Sequence, residues 1–184
     1  MKSILVAFLA IGLTASLTAQ SKPTQGGLQS DSAIVYSGQL RVVRAGSDLE
    51  GVVGNRTGGG GGFSAMFGDT PLRLRIRMDG DAFSGMDGQG LVSSVGLGIE
   101  GVFFFPSFDW VTPYVSLGAA FQQWNIMQAK KSSTSSITTN HIAGRAELGT
   151  RFGRSITLSL GVLAGSTVDG LTATNPYLAV GVSF

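Results

Sequence analysis

Leu72-Arg73-Leu74-Arg75-Ile76-Arg77-Met78 sets four large apolar side chains on even positions and three arginines on odd ones. A period of two belongs to a β-strand, whose successive side chains point to opposite faces. A helix would mix these residues around its circumference. One face of the strand therefore suits a core or lipid, and the other needs water or counter-charge. Turning an arginine to lipid near the bilayer midplane costs roughly 2–4 kcal/mol, so in a membrane wall all three arginines point inward. In a secreted β-sandwich, the competing architecture, they would point to solvent.

The same alternation recurs on both sides. Ala33 to Val43 carries Ile34, Tyr36, Leu40 and Val42 opposite Ser37, Gln39 and Arg41. Arg44 to Gly59, with Asp48, Glu50 and a glycine run through Gly62, reads as a mobile loop. Gly61 to Gly68 is a short strand whose register the glycines blur, and Gly68-Asp69-Thr70 turns the chain into the arginine strand. A Gly- and Asp-rich loop runs from beyond Met78 to Gly90. In Leu91 to Phe105, Val95, Leu97, Ile99, Phe103 and Phe105 oppose Ser94, Gly96, Gly98 and Glu100, which puts Glu100 on the arginine side. Pro106 to Thr112 is a short turn whose Phe108 and Trp110 suit an aromatic belt at a membrane interface.

Pro113 to Trp124 alternates again, and Asn125 to about Thr139, with Lys130-Lys131 and a Ser/Thr run, reads as a low-complexity loop. His141 to Phe152 turns Ile142, Ala146, Leu148 and Phe152 outward and Arg145, Glu147 and Arg151 inward. After the tight turn Gly153-Arg154, Ser155 to Gly165 forms a strand, Ser166 to Asn175 a loop, and Tyr177 to Phe184 the last strand. The sum is eight strands whose connections alternate long and short. That sorting is expected of an all-β, eight-stranded antiparallel up-and-down transmembrane β-barrel, with short turns on one side of the membrane and long loops on the other.

Composition agrees. Glycine is 28 of 184 residues, and charged residues are 13% against about 25% in an ordinary soluble domain. Glycine lets bulky neighbours fit inside a narrow barrel. Lys2, the apolar run Ile4 to Leu13 and the small-residue segment Thr14 to Ala19 form an export signal, so residues 1–19 are expected to be removed. The apolar run is shorter than the roughly 20 residues a membrane helix needs. Residues 20–31 read as a flexible periplasmic lead-in and 32–184 as the barrel. Without Lys2 the 13 basic residues become 12, against 11 acidic ones. No basic face is clustered, which argues against nucleic acid as a partner. The absence of cysteine excludes disulfides, thiolate metal sites and a lipidated N-terminal cysteine.

The terminal strand Pro176-Tyr177-Leu178-Ala179-Val180-Gly181-Val182-Ser183-Phe184 and the strand opening Pro113-Tyr114-Val115-Ser116-Leu117-Gly118 resemble the small eight-stranded outer-membrane barrel family. This is the OmpX-like and OmpA-transmembrane-domain-like group, and the resemblance covers roughly Ala33 to Phe184. It implies a monomer in the bacterial outer membrane, in contact with its lipid and lipopolysaccharide. It further implies that Leu178, Val180, Val182 and Phe184 are the signal read by the barrel-assembly machinery.

Side-chain parity gives a lumen with Arg41, Arg73, Arg75, Arg77, Arg145 and Arg151 against Glu100 and Glu147, six cations to two carboxylates. Eight strands leave room for side chains or one small ligand, and buried charges need partners. The expectation is a packed ion-pair network, with a narrow small-solute or anion channel as the alternative. A lipid-modifying enzyme is the second alternative. Lipid A deacylase barrels use a His and a Ser two residues apart, but the sole histidine, His141, is followed by Ile142-Ala143, and Glu147 lies roughly 20 Å further along a strand. Asp79, Asp81 and Asp87 read as a solvated hairpin tip, because Phe83 interrupts a calcium-loop pattern. Asn55-Arg56-Thr57 is a glycosylation sequon of little meaning in a bacterium. The run Gly58 to Gly62 lacks the Lys-Ser/Thr of a phosphate loop and reads as flexibility. The reading is a non-enzymatic outer-membrane protein, without cofactor or metal, acting structurally or through surface ligands bound by its extracellular loops.

Overall fold

The computed structural model describes residues 34–46, 57–68, 71–84, 90–130, 133–168 and 171–184. The export signal, the lead-in, Asp48, Glu50, Asn55, Arg56, Asp87 and Lys131 lie outside them. Eight strands follow one another: β1 (Val35–Arg44), β2 (Thr57–Phe67), β3 (Leu72–Ser84), β4 (Gly90–Phe104), β5 (Val111–Lys130), β6 (Ser133–Phe152), β7 (Ile156–Val168) and β8 (Leu171–Ser183). Each pairs antiparallel with the next and β8 returns to β1, closing a barrel. The seam is short, from Ser37↔Ser183 to Val43↔Tyr177, and is continued by Phe184 N–H donating to Tyr36 O at 2.9 Å.

The alternation sorts the side chains as the sequence requires. Leu40, Leu74, Ile76, Leu97, Leu117, Ile142, Leu148, Leu160 and Val180 stand exposed around the outside, while Arg41, Arg75, Arg77, Glu100, Arg145 and Glu147 are buried inside. An outer surface this apolar is stable only against lipid. Phe108 and Trp110 are 69% and 64% exposed at the turn between β4 and β5, and the Trp110 ring packs 5.3 Å from Phe152. These aromatics occupy the end of the barrel that also holds the β6–β7 turn, where Gly153 takes a left-handed φ of 60° and donates its N–H to Trp110 O at 2.6 Å.

Four segments read as loops belong to the wall. β2 begins at Thr57, so the glycine run is strand. Gly58, Gly60 and Gly62 face inward, where an added Cβ would collide with Phe83, Asp81 and Asp79 respectively. Their role is therefore to make room. β3 continues past Met78 to Ser84 and keeps its parity, so Asp79, Asp81 and Phe83 line the lumen. β5 and β6 extend through the Ser/Thr run to Lys130 and Ser133, paired throughout, with Thr138 donating to Asn125 Oδ1 at 2.8 Å. Threonine's branched Cβ favours extended backbone, which low complexity concealed. β7 and β8 likewise absorb most of Ser166 to Asn175, with a bulge between Ala164 and Thr167. Within the described residues, much of what read as long connection is thus taller wall. At 20 residues each, β5 and β6 run about 66 Å at roughly 3.3 Å per residue. Even tilted by about 45° they outreach an apolar band some 25 Å tall.

Two inward tyrosines set the close packing of the wall. Tyr114 pairs with Gly149 and Tyr177 with Gly161, and each ring lies where the glycine's Cβ would be. Gly149→Val or Gly161→Val should therefore overpack the lumen and lose about 1–3 kcal/mol, read by urea unfolding in micelles. Exchanging Leu74 and Arg75 should abolish the folded, heat-modifiable band on SDS gels, because arginine meets lipid while Glu100 and Glu147 lose a partner. A folded swap mutant would contradict the register.

Candidate functional site

The lumen is filled in layers. Nearest the aromatic end, Arg73 and Arg151 lie over the Phe104 ring, 5.3 and 4.8 Å from its centre. Next, Arg75 donates to Glu100 Oε2 through Nε at 2.8 Å and through Nη2, and its Nη2 also reaches Ser116 Oγ at 2.8 Å and Glu147 Oε1 at 3.0 Å. Arg77 donates to both Glu147 oxygens, at 3.0 and 3.3 Å. The hydroxyls of Tyr114 and Tyr177 donate to the same carboxylate at 3.0 and 2.8 Å. Strands β3, β4, β5, β6 and β8 thereby converge on two glutamates.

One layer further, Arg145 Nη1 donates to Glu100 Oε1 at 3.0 Å, and its Nη2 lies 2.7 Å from Asp79 Oδ2, an ion pair off the line of a hydrogen bond. Arg41 grips Asp81 with both prongs, Nε at 2.6 Å and Nη2 at 2.7 Å, and reaches Asp79 Oδ2 at 2.9 Å. The Arg41 guanidinium also lies 5.2 Å from the Tyr177 ring centre. Every member of this chain of contacts is buried, from Arg41 to Glu147.

Above it the lumen turns apolar. Phe83 and Trp124 stack at 6.4 Å and pack with Val43, Ala45, Val92 and Ile126. Trp124 Nε1 donates to His141 Nε2 at 3.1 Å and to Gln122 Oε1 at 3.2 Å. The histidine thus serves this cap, and among the described residues it touches neither a serine hydroxyl nor a carboxylate. No group of three or more His, Asp or Glu among the described residues could hold a metal ion.

The charge balance differs from the six-to-two count in the sequence reading. Asp79 and Asp81 are not a solvated hairpin tip but buried lumen carboxylates, so the count becomes six to four: Arg41, Arg75, Arg77 and Arg145 face Asp79, Asp81, Glu100 and Glu147, four against four, while Arg73 and Arg151 stay at the Phe104 layer. The missed signal was parity: residues 73, 75, 77, 79, 81 and 83 share one face, and nothing in Gly80 or Ala82 interrupts the strand. Leu178, Val180, Val182 and Phe184 all face outward on β8 and beyond it, half-exposed at the seam.

Removing one partner from a buried pair leaves an uncompensated charge and typically costs 3–5 kcal/mol. Asp81→Asn should therefore destabilise the barrel by about that much in urea, while the double variant Arg41→Leu with Asp81→Leu should recover part of the loss. A single variant as stable as the parent would mean that Arg41 is solvated rather than paired.

No protein-family model and no curated protein matches the chain. Solved structures do. Neisserial surface protein A is 15% identical and superposes with a TM-score of 0.59, over 82% of this chain and 95% of that one. The attachment invasion locus protein Ail of Yersinia pestis is 12% identical, TM-score 0.54, over 82% and 97%. It has also been solved with the heparin analogue sucrose octasulfate. The N-terminal β-barrel domain of Pseudomonas aeruginosa OprF is 15% identical, TM-score 0.53, over 82% and 97%. With its closed, charge-filled lumen and apolar exterior, the chain has the fold of the small eight-stranded outer-membrane β-barrels.

Proposed function

We propose that this protein resides in the bacterial outer membrane as a non-conducting, non-enzymatic barrel, and presents the raised β5–β6 hairpin to an external polypeptide. The observation that carries the reading is an unpaired strand edge. β6 pairs with β5 from Ser133 to Phe152, but with β7 only from Ala143 to Phe152. Among the described residues, no ladder pair joins the β7-facing edge of β6 from Ser133 to Ile142 to β7. Such a row of backbone donors and acceptors is a template for a partner's extended segment, with main-chain hydrogen bonds giving affinity. Exposed Met127 and Ile137 add apolar contact nearby. The solved neighbours include a surface protein and an attachment and invasion protein, which is consistent with this use.

A filled lumen supports the non-conducting half. The balanced network and the Phe83–Trp124 cap leave the interior to side chains, which disfavours the channel reading. By resemblance, Leu178, Val180, Val182 and Phe184 remain the proposed signal for the assembly machinery, and their outward alternation on the closing strand supports it.

Two measurements test the proposal. In planar bilayers the refolded protein should show no discrete conductance; steps abolished by Arg75→Gln would restore the channel reading. Deleting Met127 to Ser136 should leave the heat-modifiable barrel intact and abolish adhesion of expressing cells to host surfaces. Unchanged adhesion would exclude the hairpin as the contact.

A further inference from the structure

The aromatic end of the lumen holds a small cavity that the ion-pair network does not use. Its volume is about 30 Å³, and its lining includes Gln39, Arg75, Phe104, Arg151, Thr157 and Ser183. Two donors at this lining, Gln39 Nε2 and Arg151 Nε, are buried without a hydrogen-bond partner. An unmet buried donor costs free energy, and more when it is charged. Arg151 forms no ion pair with a carboxylate among the described residues, and the charges acting on it are those of Arg73 and Arg154, both cations. Phe104 covers the face of its guanidinium, leaving the edge nitrogens to find a partner. Glu100 and Glu147 are not part of the lining; Arg75 stands between them and the cavity and is bonded to both.

We propose that this cavity is a binding site for a small monovalent anion of halide size, held by Arg151 and Gln39. The volume admits a water or two or one such ion, and water would meet the donors but bring no charge opposite the buried Nε edge of the guanidinium. An anion meets both needs. Thr157 and Ser183 can turn their hydroxyl hydrogens toward it, since a hydroxyl rotor adapts to its acceptor. The four arginines and four carboxylates deeper in the barrel pair with one another, so none of those carboxylates is left over for Arg151. The ion would act as a permanent counter-charge that locks the periplasmic end of β1 to β6 across the lumen. These strands are not neighbours in the sheet.

The test uses the full chain refolded in micelles, with bromide as the probe and gluconate, too large for the cavity, holding ionic strength constant. Exchange of gluconate for bromide should raise the thermal unfolding midpoint by roughly 2–4 °C once bromide is about fivefold above its dissociation constant. Crystals grown in bromide should show an anomalous peak between Arg151 and Gln39. Arg151→Gln should remove both effects. Should that variant fail to fold, Gln39→Leu keeps the charge and loses one donor, and should weaken the bromide response severalfold. An absent peak, a midpoint indifferent to the anion, or an equal response in either folded variant would overturn the proposal in favour of water alone.

Discussion

Everything inside this barrel depends on the cost of carrying guanidinium groups through a membrane. Four arginines and four carboxylates form the paired network at the middle of a lumen too narrow for bulk water. Charges desolvated in this way persist only with close, multiple partners. Each carboxylate accordingly takes more than one contact, and Glu147 collects two arginines and two tyrosine hydroxyls. The network links strands that are not neighbours in the sheet, so it braces the cylinder across its diameter while backbone ladders hold its circumference. The inward glycines follow from the same constraint. Tyr114 and Tyr177 reach Glu147 because their rings pass over glycine at 149 and 161.

Side chains fill most of the centre of such a barrel. The apolar cap of Phe83, Trp124 and Val92 sits over the charges, and Trp124 spends its single donor on His141 and Gln122. What differs around the rim is height. β1 has 10 residues and β6 has 20, so one side of the cylinder rises well beyond lipid while the other ends near it. On that raised side the paired wall itself, and not only a loop, stands clear of lipid.

The wall was legible in the sequence because lipid enforces strict alternation. Leu72 to Met78, Val95 to Phe105 and Leu178 to Phe184 each show the outward row that the structure exposes. Strand ends were not legible, because beyond the lipid the outward face need not be apolar. Asp79 and Asp81 look like a turn when weighed by composition, yet they continue the parity of Arg73, Arg75 and Arg77. The glycines from 58 to 62 look flexible until their neighbours Asp79, Asp81 and Phe83 are seen to need the space. Charge pairing across the lumen joins residues up to 72 positions apart, and no local pattern encodes it.

The short seam between β1 and β8 bears on the order of events in folding. Its register spans Ser37 to Val43 against Tyr177 to Ser183, the greatest sequence separation of any strand pair and the fewest partners. Contacts this distant are entropically the slowest to form. Hairpins β3 to β8 can zip locally, whereas closure waits for both ends of the chain to meet. Arg41 needs no closure to reach its carboxylates, because β1, β2 and β3 place Arg41, Gly60 and Asp81 in one row, whereas its contact with the Tyr177 ring and the Gly46 N–H bond to Asn175 Oδ1 cross from β1 to β8. Formation of the seam thus sets the Tyr177 ring against an Arg41 that β3 can already hold in its ion pairs, and closure completes a charge network rather than creating it.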